Sequence, residues 1–210
     1  MKKKSGTRTS ERIDKILRSE AAAIVAIPRE NPYEEVVKAL HRAHRAHGKI
    51  IVTGVGKAGD VGRKIVSTFN SVGLSAVFLS PLDARHGDLG VVGKHDVLFL
   101  VSNSGKTSEI VELVELVEKL HPEIDTVCLT SRKDSPLARA SDYALITGCT
   151  SEVCPLGLTP TTSVITMLAV ADVVTVLSME ERSYTPDEYH LRHHSGYLGK
   201  KAKKLAASKQ

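Results

Sequence analysis

The stretch Asp96-Val97-Leu98-Phe99-Leu100-Val101-Ser102-Asn103-Ser104-Gly105-Lys106-Thr107-Ser108-Glu109-Ile110-Val111-Glu112-Leu113-Val114 decides the fold of this chain. Its first part is almost wholly apolar, which suits a strand covered on both faces. From Ile110 onward the apolar residues keep to one side of a 3.6-residue repeat, which predicts a helix. Between the two lie Ser102, Asn103, Ser104, Gly105 and Thr107. Free backbone N–H groups, the positive end of a helix dipole and hydroxyl side chains would converge at that junction, an arrangement that suits a phosphate. The simpler reading is an ordinary helix N-cap, for which Ser and Thr are favoured.

The same alternation extends in both directions. Ser10 can cap a first helix carrying Ile13, Ile16, Leu17, Ile24 and Val25, stopped by Pro28. A second helix runs from about Pro32 to Gly48. Strands follow at Lys49–Thr53, Ser75–Leu79, Asp96–Val101, Ile124–Leu129 and Tyr143–Ile146. Helices are expected at Ala58–Val72, Thr107–Leu120, Pro136–Ala140, Thr161–Leu177 and Thr185–Arg192. Strands separated by helix-length segments predict an α/β protein: a three-layer α/β/α sandwich around a central parallel sheet. Residues 1–48 are read as N-terminal helices packing on the domain, 49–199 as the α/β domain and 200–210 as a basic tail, effectively one domain. In such a fold, ligands collect at the carboxyl ends of the strands.

Three other strand ends carry chemistry. Gly54-Val55-Gly56-Lys57-Ala58-Gly59 follows the first strand. It is not a dinucleotide fingerprint, because no acidic residue closes the next strand, and it is not a P-loop. A glycine-rich turn with Lys57 at its tip can bring one ammonium to a small anion, or can be a tight turn with a solvated lysine. His86 lies in a loop after the second strand, where a surface histidine is the simpler reading. Thr150–Ser163 is an irregular loop with one carboxylate, Glu152, and a Thr/Ser cluster at the start of the most apolar helix. That cluster is a further anion-binding candidate, or capping alone.

Composition narrows the class. No apolar run approaches the roughly 20 residues of a membrane span, and no apolar signal core follows the basic Met1–Lys4, so a cytoplasmic protein is expected. The net charge of +5 comes from the ends: without Lys2, Lys3, Lys4, Lys200, Lys201, Lys203, Lys204 and Lys209 it is −3. With aromatics at 4%, neither a basic stripe nor stacking platforms remain for nucleic acid. Cys128, Cys149 and Cys154 form neither a disulfide framework nor a zinc knuckle. Cys128 is read as a core residue. His41, His44 and His47, spaced by three, are read as cations near a helix end rather than a metal site.

G-x-G-K-x-G, H-G-D-L-G, S-N-S-G-x-[ST]-S-E and E-x-C-P-L-G-L-x-P-T-[ST]-S occur in this order from about Ile51. The set resembles the sugar isomerase (SIS) family and, within it, the arabinose-5-phosphate isomerases. The resemblance implies a flavodoxin-like SIS sheet, a sugar-phosphate ligand and no cofactor. It also implies homo-oligomers, tetramers favoured, whose active sites are shared between subunits. The implied reaction interconverts D-ribulose 5-phosphate and D-arabinose 5-phosphate through an enediol, for synthesis of Kdo, the acidic sugar of lipopolysaccharide. Lys57, Glu109, Glu152 and His193 match the family's catalytic positions. Glu152 is expected to move the proton between carbons, with Glu109 competing for the role. Lys57 would steady the enediolate, and His193 would aid ring opening. Gly56, Ser102, Asn103, Ser104, Thr107 and His86 would bind substrate.

Departures from the pattern are Lys106, where close relatives often have Glu; Ser80, where some have a metal-binding His, so that no metal is expected; and His194-Ser195 inside the C-terminal motif. With Gln210 last, the paired CBS domains of many relatives, and regulation through them, are expected to be absent. Two other readings are a non-catalytic SIS sugar-phosphate sensor and another SIS phosphosugar isomerase.

Overall fold

A computed structural model describes residues 3–148 and 150–208, without the side chains of residues 3–7. Lys2, Cys149 and Lys209, and the side chains of Lys3 and Lys4, lie outside the described residues. Five parallel strands, β1 (Ile50–Gly54), β2 (Ala76–Phe78), β3 (Val97–Val101), β4 (Asp125–Thr130) and β5 (Tyr143–Ile146), form one sheet in the order β2-β1-β3-β4-β5. Ile50 pairs with Val97 and Gly54 with Val101 in register. The order reverses between β1 and β3, so their carboxyl ends open a crevice between diverging connections.

Alternation along each strand builds two cores. Val52, Val97, Phe99 and Val101 face α2 (Tyr33–Arg45), α3 (Lys57–Ser71) and α7 (Thr162–Glu181). On that side Phe69 meets the edge of Phe99, with ring centroids 6.0 Å apart. Ile51, Leu98, Leu100 and Cys128 face α4 (Pro81–Ala84), α5 (Ser108–Leu120) and α6 (Pro136–Arg139). The three expected layers are present. Cys128 is fully buried, and burial pushes its thiol up to about 11.

The ends of the chain depart from the sequence reading. α1 (Lys3–Val25) starts well before Ser10, which lies inside the helix and caps nothing. One serine costs a helix only a few tenths of a kcal/mol, too little to start it later. α2 packs against α7 and the sheet. α1 touches α7, yet Ile13, Leu17 and Val25 remain 53, 59 and 67% exposed. Within the expected tail, residues 200–207 are helical. α9 (Gly196–Ala207) crosses the expected boundary and buries Gly199, Ala202 and Ala206, leaving its lysines outward. That small-residue spacing of three and four was the overlooked signal. α8 (Pro186–Arg192) opens with a capping box between Thr185 and Glu188.

α7 also corrects the sequence reading. It is 20 residues long with a mean hydropathy of 1.8, long and apolar enough to cross a membrane by length and composition. Half of that span is buried, with Met167, Val170 and Val174 inside the first core. Its apolarity is that of a helix buried against α2 and α3.

His41 is 3% exposed, and its Nε2 pairs with Ser178 Oγ at 2.7 Å. His47 lies beyond the end of α2, at φ 58°. The three spaced histidines therefore share no face. Desolvation by burial holds the His41 pKa below its usual 6.5; Arg182 and Arg45 add to this and Glu181 opposes it. His44 is lowered in the same direction. A folded-state pKa below the unfolded one means that only the unfolded chain takes up the proton as pH falls through about 6.5. Stability is thus full above neutral pH and is expected to decline from about pH 6.5 downward, before most carboxylates titrate. Urea midpoints from pH 8 to 5 should show this slope, and His41→Gln should flatten it.

Candidate functional site

Three connections meet where β1 and β3 end. A cleft of about 670 Å³ is lined there by Lys57 and Ala58 from the start of α3, by Ser102, Asn103, Ser104 and Thr107 ahead of α5, and by Glu152, Leu158 and Ser163 around the start of α7.

The turn after β3 is held from below. Ser102 is buried and its N–H donates to Leu129 O, while the Asn103 carbonyl accepts from the N–H and hydroxyl of Ser131. Gly105 has a φ of +61°, and a Cβ there would lie 2.2 Å from Ser135 Oγ. No other residue fits that approach. The simple capping explanation fails on geometry. Thr107 occupies the N-cap position of α5 but makes no side-chain cap; its hydroxyl pairs with Ser102 Oγ at 2.9 Å. The Thr107 side chain thus leaves the cap position of the helix open to a ligand or to water.

α3 begins in a similar way. Gly56 takes φ 57° and ψ −131° as its N-cap, which turns the chain sharply out of β1 and puts Lys57 at the first helical position. The Lys57 side chain is exposed and its Nζ lies 3.4 Å from Asp60 Oδ2. An exposed pair of this kind holds the ammonium weakly, so it is free to turn to an anion in the cleft.

At α7 the anion is the chain's own. Glu152 Oε2 accepts from the N–H of Thr161 at 2.7 Å, the Thr161 hydroxyl at 3.0 Å and the N–H of Ser163 at 3.2 Å. The Ser163 hydroxyl donates to Oε1. The Thr/Ser cluster thus binds Glu152 and is not a second phosphate site. Desolvation pushes the Glu152 carboxyl up, but the donors of Ser163 and Thr161 outweigh it and hold the group below the usual carboxylate range. It is an anion at neutral pH. Oε1, with one donor, keeps lone-pair capacity to accept a further proton.

Four expected residues do not line this cleft: Gly56, which only sets the turn ahead of Lys57, and Glu109, His86 and His193. Glu109 sits in the first turn of α5, where its own N–H and the Ser108 hydroxyl lower its pKa, with Arg85 adding to the effect. Here it acts as a first-turn helix carboxylate. His86 is exposed on the connection after α4; the neighbouring Arg85 is ion-paired to Glu112 of α5. His193 caps the end of α8, stacked on Tyr189 at 3.9 Å, with Nδ1 3.0 Å from Tyr189 O. The adjoining Arg192 lies against Gly73, just past the end of α3. The cleft is at the start of α3, some 20 Å away along a 15-residue helix. The fold therefore puts His193 beyond reach of its own chain's cleft. Cys154, to which the sequence assigns no role beyond its place in the E-x-C-P-L-G motif, lies beside the cleft with a thiol lowered to about 7.

Residues 44–177 match the SIS domain family. The chain is 40% identical over 163 residues to the arabinose 5-phosphate isomerase KdsD of Salmonella typhi, a match covering 78% of this chain and 49% of that protein. It spans about half the length of the curated relatives it matches. Among solved structures, a candidate phosphosugar isomerase involved in capsule formation from Bacteroides fragilis NCTC 9343 superposes with a TM-score of 0.87 at 45% identity, over 90% of this chain and 99% of that one. The E. coli CFT073 protein c3406, in complex with arabinose 5-phosphate, superposes with a TM-score of 0.80 at 32% identity, over 89% and 98%.

Proposed function

The chain belongs to the SIS domain family, and from that premise we propose that it is an aldose–ketose isomerase interconverting D-ribulose 5-phosphate and D-arabinose 5-phosphate. One observation carries the reading: the uncapped, hydroxyl-lined start of α5 shares a cleft with an available ammonium, Lys57, and an ionised carboxylate, Glu152. A phosphate on the α5 start places the far end of a five-carbon sugar toward the other two groups.

In this reading Ser102, Asn103, Ser104 and Thr107 hold the phosphate, and Gly56 sets the turn that presents Lys57. Glu152 removes the proton from C2 of the aldose, or from C1 of the ketose, and returns it to the other carbon. Between the two steps the substrate is an enediolate, and the Lys57 ammonium lies against its oxygen. The step is internally balanced in electrons and needs no redox cofactor. His193 and His86 enter from a neighbouring subunit. Two observations support an assembly: the separation of His193 from its own cleft, and the exposed apolar residues Ile13 and Leu17 on α1 with Val173 and Val176 on α7. A homotetramer with shared sites, working in the cytoplasm and supplying Kdo synthesis, is the form this reading favours.

Incubation with ribulose 5-phosphate, followed by NMR, tests it. Arabinose 5-phosphate is the expected product. Another aldose points to a different phosphosugar isomerase, and ligand binding without conversion points to a sensor.

A further inference from the structure

Cys154 lies two residues from Glu152 and takes no part in the steps above. Its Sγ accepts from the backbone N–H of Leu158 at 3.2 Å and of Thr159 at 3.1 Å. Its carbonyl accepts from the N–H of Gly157 at 2.9 Å. These bonds wind residues 154–159 back onto one side chain. Gly157, Leu158 and Pro160 from this coil form a wall of the cleft. Leu158 is 76% exposed, so its side chain does not anchor that wall in the core. The next residue, Thr161, closes the loop onto Glu152.

We infer that Cys154 is a positioning residue for the isomerase reaction: its sulfur, as the shared acceptor of two backbone N–H groups, holds the Gly157–Pro160 wall where the sugar must bind. The inference rests on the proposed function. The lowered thiol agrees with it. Desolvation pushes the thiol up, yet the N–H groups of Thr159 and Leu158 outweigh this and bring it to about 7. A substantial thiolate fraction at neutral pH makes both bonds charge-assisted and stronger than those to a neutral thiol. The sulfur acts only through the backbone, so its loss should weaken substrate binding more than the chemical step.

The test compares wild type, Cys154→Ala and Cys154→Ser by steady-state kinetics with ribulose 5-phosphate and by thermal unfolding. Cys154→Ala is expected to raise KM roughly tenfold with kcat within about threefold of wild type. Cys154→Ser keeps an acceptor and is expected to recover KM to within about threefold. The Tm of both should stay within about 2 °C of wild type, because the wall is local. Wild-type KM in Cys154→Ala, no recovery in Cys154→Ser, or an unfolded Cys154→Ala each overturns the inference. If the wild type does not isomerise the sugar, the isomerase reading fails separately. Equilibrium titration of the same three proteins with arabinose 5-phosphate then decides the positioning role by the same tenfold criterion.

Discussion

Glu152→Gln is expected to lower kcat for ribulose 5-phosphate by roughly 10²–10⁴-fold, the usual weight of a positioned acid–base group. It should also abolish exchange of the C2 proton of arabinose 5-phosphate with solvent. Glu152 lines the cleft and is ionised, so it is ready to receive a proton, whereas Glu109 lies outside the cleft on its own N–H. Glu109→Gln is therefore expected to retain exchange. Retained exchange in Glu152→Gln with loss in Glu109→Gln would reverse the two roles. A second effect must be separated from the chemical one. The amide supplies one oxygen where Thr161 and Ser163 offer four donors, so the start of α7 loses part of its cap. Glu152→Asp keeps the charge but shortens the reach. It should lose less cap strength and still lose most of the rate, and circular dichroism of both variants against wild type separates the two effects.

The second large effect is expected at Gly105. Gly105→Ala must hold a side chain at φ +61°, with its Cβ 2.2 Å from Ser135 Oγ and 2.5 Å from Ser135 Cβ. The strained backbone alone costs on the order of 1–3 kcal/mol, and the clash moves the turn that carries Ser102–Thr107. KM for the sugar phosphate is expected to rise at least about a hundredfold, the scale of a lost phosphate site worth about 3 kcal/mol. Inorganic phosphate, an inhibitor that needs only this turn, should lose affinity in parallel. Ser135→Ala should not rescue the variant, because the Ser135 Cβ remains in the way. Unchanged phosphate inhibition in Gly105→Ala would remove the α5 start from the binding site.

The strand–turn–helix units were legible because continuous apolar runs and period-3.6 apolarity are local signals. The layers followed from them, since strands apolar on both faces need two covers. The phosphate cradle was legible as composition, but its meaning was not. Only the tertiary structure shows that Thr107 turns to Ser102 instead of capping α5. In sequence, Glu152 and the Thr/Ser cluster were separate candidates for proton transfer and anion binding; in space they bind each other. The contacts of Cys154 were not legible, because two N–H groups converge on its sulfur from residues four and five positions on, and no pattern of residue types records that. α9 was missed for a different reason. Its lysines read as a solvated tail, while its buried face is written in Gly199, Ala202 and Ala206, which carry almost no hydropathy signal.

The sequence by itself determined the parallel α/β architecture, the family and the strand ends that bear chemistry, because these depend on local periodicity and on short motifs. The tertiary structure alone decided which of those residues meet. It joined Lys57, the Ser102–Thr107 turn and Glu152 in one cleft, since β1 and β3 are neighbours although about 45 residues separate them in the chain. It placed His193 at the other end of α3, a helix length from that cleft, since α7 carries the chain back along the sheet before α8 begins. Distance across a packed sheet is set by crossover connections and helix lengths, and motif order along a chain does not contain it.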